Sequence, residues 1–99
     1  MVLDATAVLD RLKEHSSELQ RLGVRRLALF GSVARGEAGD ASDLDFVVDF
    51  ERLDFDSYMD LKFLLEDLFS RPVDLLTIGG IKPSIRERVL SESIDVPGL

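Results

Sequence analysis

Asp43 and Asp45 stand two residues apart in "SDLDFVVDF", Ser42 to Phe50, a stretch whose two-residue alternation reads as a strand. Both carboxylates would then leave one face of that strand, about 7 Å apart along the backbone. Like charges so close resist joint ionisation unless water or a cation screens them. A third carboxylate, Asp74, sits in "PVDLL" among Val73, Leu75 and Leu76, where an unpartnered charge would be costly. If the two strands are neighbours, Asp43, Asp45 and Asp74 converge at one edge of the sheet. Hard oxygen donors with open positions suit magnesium, which takes one or two carboxylates and completes its shell with water and substrate phosphates.

A second group of residues precedes the aspartates. Gly31 and Ser32 follow the apolar run "LALF" and are separated from Asp43 by ten residues. Glycine lets a backbone approach a ligand closely. A serine at a helix start offers its hydroxyl and nearby unsatisfied amides to an anion. Arg35, one turn further on, can donate two hydrogen bonds to the same phosphates. Metal ligands and phosphate donors in one cleft are what phosphoryl or nucleotidyl transfer requires. Singly, each feature has an ordinary reading: Gly-Ser as turn chemistry, Arg35 as an exposed helix residue, the aspartates as solvated strand charges. Their joint arrangement is what singles them out.

The surrounding elements have to position these residues. Asp4 to Leu22 carries Ala5, Val8, Leu9, Leu12, Leu19 and Leu22 at helical spacing, and Gly23 stops the helix. "VRRLALF", Val24 to Phe30, reads as a strand, and Ser32 as the cap of a short helix through "VARGE". In the next strand Leu44, Phe46, Val48 and Phe50 share one face; Asp43, Asp45, Val47 and Asp49 share the other. Asp56 or Ser57 is expected to cap a long helix to about Phe69, with Tyr58, Leu61, Leu65 and Leu68 inward. "RPVDLLTI" predicts a third strand. Gly79 and Gly80 turn the chain into a last helix, with Pro83 near its first position and Ile85 and Val89 inward. "DVPGL" reads as a tail. The alternation implies an α+β fold with a small mixed three-stranded sheet flanked by helices, a single domain over residues 1–99.

Composition narrows the classes. The chain has 99 residues, 12 basic and 19 acidic, for a net charge of −7. Unaided nucleic-acid binding draws on basic patches, so direct contact with DNA or RNA is disfavoured, and a cation or a basic partner suits the surface better. No apolar run approaches the roughly 20 residues of a membrane span. Acidic residues interrupt the N-terminal apolar positions, unlike a secretory signal. Without cysteine there is no disulfide framework or thiolate chemistry, which fits a cytoplasmic protein. His15, among Glu14, Ser16 and Ser17, reads as a surface residue, Tyr58 as a packing or capping residue, and Lys82, Arg86 and Arg88 as a solvated basic edge.

The Gly-Ser pair, the ten-residue gap and Asp-x-Asp resemble the signature of the polymerase-beta-like nucleotidyltransferases. With "LFGSVARGEA", "SDLDFVV", "PVDLLT" and "KPSIRERVL", the stretch from Leu27 to Leu90 is similar to the minimal nucleotidyltransferase (MNT) group within them. The resemblance implies the nucleotidyltransferase fold, with Gly31 and Ser32 binding the triphosphate. Asp43 and Asp45 would hold two Mg2+ ions, and Asp74 would complete the metal site and help activate the attacking hydroxyl. It further implies an antitoxin that transfers AMP from ATP to a tyrosine hydroxyl of a HEPN-domain ribonuclease toxin. Two other readings stay open: a binding antitoxin that acts by occlusion, and nucleotidyl transfer to a small molecule or RNA.

Overall fold

The computed structural model describes residues 4–36 and 43–99. Two expected boundaries lie outside them: Glu37, at the end of the short helix, and Ser42, at the start of the second strand.

The first helical stretch folds as two helices, α1 (Ala5–Glu14) and α2 (Ser16–Arg21). Asp4 caps α1, its carboxylate accepting from the Ala7 amide at 2.8 Å, a contact worth about 1 kcal/mol. The expected single helix breaks at His15, which leaves helical geometry (φ −107°, ψ 19°) while its amide closes onto Leu12 O. Val8, Leu12 and Leu19 nevertheless reach one core. Gly23, at φ +84°, ends the stretch.

Strand β1 (Val24–Phe30) runs into a single helical turn, α3 (Gly31–Ala34). No side chain caps that turn: its N-cap is Phe30, and Ser32 lies inside it. Strand β2 (Leu44–Phe50) pairs antiparallel with β1, with Leu27 opposite Val48 and Phe30 opposite Asp45. Helix α4 (Phe55–Phe69) is capped by Asp54, not Asp56 or Ser57; Asp54 accepts from the Ser57 amide at 2.8 Å. Strand β3 (Val73–Thr77) runs parallel to β2. A 3-10 turn (Ile78–Gly80) then leads to α5 (Pro83–Glu92), with Pro83 in its first turn.

Among the described residues the sheet has four strands, not three. β4 (Ile94–Asp95) pairs antiparallel with β1, giving the order β3-β2-β1-β4. Two residues are too few to show a period, so the segment read as a tail is part of the sheet. Val96 follows with only 5% exposure, its amide on Leu27 O at 2.8 Å.

One face of the sheet carries the core. Leu27 and Leu29 of β1, Leu44, Phe46 and Val48 of β2, and Val73 and Leu75 of β3 pack with Val8, Leu12, Leu19, Leu61, Leu65 and Phe69 of the helices. Each fully buried leucine here contributes roughly 1.5–3 kcal/mol. The opposite face is less covered. Ala28, Val47 and Ile81 are buried outside that cluster, whereas α5 buries no residue fully and Ile85, expected inward, is 47% exposed. Among the described residues no helix is long and apolar enough to cross a membrane.

Candidate active site

The second face of the sheet carries the carboxylates. β2 and β3 are parallel and in register, with Asp45 directly opposite Asp74, so the two side chains leave the same face side by side. Their carboxyls are close enough that Asp74 opposes ionisation of Asp45. Asp45 is half-buried and Asp74 exposed. The expectation of a costly charge among apolar neighbours is therefore corrected: Val73 and Leu75 point into the core, while Asp74, between them on an edge strand, points out.

Asp43 occupies a different position from the one its spacing suggests. β2 begins at Leu44, leaving Asp43 exposed just ahead of the strand. Its charge reaches Asp45, but among the described residues no group of three carboxylate or imidazole side chains is close enough to form a ready-made metal site. The convergence expected of three carboxylates is thus a pair, with Asp43 at its margin.

That pair is electrostatically loaded. The Asp45 carboxyl is held above the usual aspartate range, first by burial, then by Asp74, then by Asp43; Arg35 pulls the other way. Arg35, exposed at the end of α3, is therefore near enough for its charge to reach Asp45. An all-oxygen pair whose charges oppose each other's ionisation fits a hard divalent cation that takes one or two carboxylates.

Gly31 joins the turn to the carboxylates. Its φ of +79° lies in the left-handed region, which a side chain strains. A Cβ there would also overlap Asp45 Oδ2 and lie 3.0 Å from Cγ. Backbone angle and space both require glycine. Ser32 follows, half-buried. Gly31, Asp45 and Asp74 thus form one contiguous surface, with Ser32, Arg35 and Asp43 around it.

Two side chains of α4 also meet this neighbourhood. The Tyr58 hydroxyl donates to Leu75 O at 2.6 Å, and Glu66 Oε2 accepts from the Val73 amide at 3.2 Å. Tyr58 packs against the core cluster, one of the two roles its sequence suggests, and its hydroxyl bonds β3 rather than a helix end. Nothing in the spacing marks Glu66, because its partner is a backbone amide.

Comparison with known proteins agrees with this geometry. Residues 9–96 match the nucleotidyltransferase domain. The protein adenylyltransferase MntA of Thermococcus cleftensis is 40% identical over 87 residues, covering 86% of this chain and 88% of that protein. A solved structure assigned as a minimal nucleotidyltransferase superposes with a TM-score of 0.76 at 40% identity, over 93% of this chain and 95% of the other. An MNT antitoxin solved in complex with the tri-AMPylated HEPN toxin of Shewanella oneidensis superposes with a TM-score of 0.57 at 18% identity, over 88% and 72% of the two chains. That last likeness bears on the fold alone.

Proposed function

The chain belongs to the nucleotidyltransferase domain family, and from that membership we propose that it is an antitoxin which transfers AMP from ATP to a hydroxyl, a tyrosine by the family resemblance, of a partner HEPN-domain toxin. The observation that carries the reading is Asp45 and Asp74, paired across β2 and β3 beside the Gly31–Ser32 turn. The adenylyltransferase relative at 40% identity supports a protein acceptor, and the HEPN partner follows the family resemblance. ATP as donor fits a cytoplasmic location.

In this reaction the acceptor oxygen bonds to the α-phosphorus of ATP, the bond from that phosphorus to the bridging oxygen breaks, and pyrophosphate leaves. Asp45 and Asp74, with Asp43 at the margin, are the residues that would hold Mg2+, two ions by the family resemblance. Magnesium supplies a lowered pKa for the acceptor hydroxyl and neutralises charge on the leaving group. Ser32, the amides of the turn and Arg35 bind the β- and γ-phosphates. Gly31 lets that turn lie against Asp45, which keeps phosphates and carboxylates within one ligand's reach. Asp74, on the exposed edge strand, is open to an incoming acceptor and lies nearest the nucleophile, where it ligates the metal or takes the proton.

The test is direct. The chain is incubated with ATP labelled at the α-phosphate, Mg2+ and a candidate HEPN-domain toxin. Label on the toxin, and suppression of its toxicity that depends on ATP, are expected. No label at any Mg2+ concentration tells against the reading.

A further inference from the structure

The geometry points to Tyr58 and Glu66 as positioning residues for Asp74, acting together as a clamp on the backbone of the strand that carries it. The inference rests on the reading of Asp45 and Asp74 as metal-holding carboxylates. β3 is five residues long and lies at the edge of the sheet. Its ladder to β2 supplies bonds on one side only, and Pro72 just before it has no amide to give.

Backbone groups alternate sides along a strand. The Leu44 amide donates to Pro72 O at 3.2 Å, so the groups of Pro72, Asp74 and Leu76 face β2. Those of Val73 and Leu75 face away, into the position where an edge strand is left unpaired. These are the groups that α4 meets: the Val73 amide donates to Glu66 Oε2, and Leu75 O accepts from the Tyr58 hydroxyl. The two bonds fall on the residues immediately before and after Asp74. Tyr58 is also packed against the core and Glu66 is half-buried, so both side chains of the clamp are themselves held. The clamp therefore sets the height of Asp74 relative to Asp45, which the ladder alone leaves to a short edge strand. An outer partner of this kind typically costs 10–100-fold in metal affinity or activity when removed.

The experiment uses Mn2+ as the probe, with free ion counted by electron paramagnetic resonance in the full chain without ATP. Tyr58→Phe keeps the ring and deletes only the hydroxyl. Glu66→Leu deletes the acceptor, whereas Glu66→Gln retains a carbonyl oxygen for the Val73 amide. The proposal expects Mn2+ binding about tenfold weaker in Tyr58→Phe and in Glu66→Leu, native affinity restored in Glu66→Gln, and faster amide exchange confined to β3. A merely structural role lowers the melting temperature and leaves Mn2+ affinity unchanged in both disruptive variants, which overturns the clamp. Failure of the native chain to bind Mn2+ at all sinks the metal reading and the clamp with it, so the two failures are told apart by the native control.

Discussion

Gly31 and Asp45 meet so closely across the β1–β2 ladder that the space a methyl group would need on Gly31 is already filled by the Asp45 carboxyl. The turn and the first carboxylate are thus one unit, and moving either displaces the other. At φ +79° the backbone adds its own demand for glycine.

Gly31→Ala should accordingly do two kinds of damage. Left-handed strain and overlap together cost about 1–3 kcal/mol of stability, and displacement of Asp45 abolishes AMP transfer. A double-mutant cycle separates them. In an Asp45→Ala background the overlap with the carboxyl is relieved and only the 3.2 Å approach to Cβ is left, so Gly31→Ala there costs little beyond the backbone strain. Equal costs in the two backgrounds, read from chemical denaturation, would show that Asp45 does not crowd the turn.

Asp45 makes a prediction about pH. Its carboxyl is raised above the ordinary 3.8 by burial first, then by Asp74 and Asp43. A raised folded-state value means that the folded chain holds the proton more tightly than the unfolded chain. The stability this contributes is fully present below pH 3.8 and is lost as pH rises through the folded-state value. Asn mimics the protonated form. In metal-free buffer Asp45→Asn should therefore melt higher than the native chain near neutral pH, and the difference should close as pH falls toward 3.8. Adding Mg2+ should reverse the order by stabilising the native chain only. A melting difference that ignores pH between 3.8 and 7 would remove the claim that Asp45 is electrostatically loaded.

The strands, the long helix and the first turn of α5 were legible because each is long enough to show a period or is marked by proline or glycine, as at Pro83. The break at His15 was not, since it is a single three-residue closure onto Leu12 O with no punctuating residue. Nor was β4, whose two residues gain their place from Arg26, Ala28 and Leu29 of a strand some 65 positions earlier. Ile85 was misjudged because helical spacing reveals a stripe but not whether anything covers it. In the site, residue types and spacing singled out Gly31, Ser32, Arg35 and the aspartates as candidates. That Asp45 faces Asp74 while Asp43 stands off the strand depends on ladder register, which comes from tertiary pairing. The bonds from Tyr58 and Glu66 end on backbone groups, and backbone groups carry no sequence identity to read.

The C-terminal strand offers a stability comparison. Arg26 reaches Asp95 through two bonds, at 2.8 and 3.3 Å, but both side chains are substantially exposed. Exposed pairs are worth roughly 0.2–1 kcal/mol. Val96, buried in the core cluster, loses two buried methyl groups on truncation, about 1.5 kcal/mol or more. Val96→Ala should therefore destabilise the fold more than Arg26→Ala, and only the effect of Arg26→Ala should shrink in 1 M salt, about where the screening length falls to 3 Å. The reverse ranking in urea denaturation would mean that the ion pair, not burial, anchors β4.

Catalysis and occlusion separate at the carboxylates. α4 exposes Phe55 (76%) and Phe63 (54%), apolar surface that a partner could cover without any chemistry, so binding alone has a physical basis. Substituting Asp43→Asn with Asp45→Asn leaves that surface untouched, since one carboxylate lies at the start of β2 and the other just ahead of it. It removes charge and metal-binding capacity while keeping side-chain volume. An antitoxin that works by transfer should lose AMP incorporation by more than about a hundredfold, because ligands count for more than their outer partners. It should also lose protection of cells co-expressing the toxin, while still co-purifying with it. Full protection by the double variant would establish occlusion as the operating mechanism and leave the paired aspartates without a role in neutralisation.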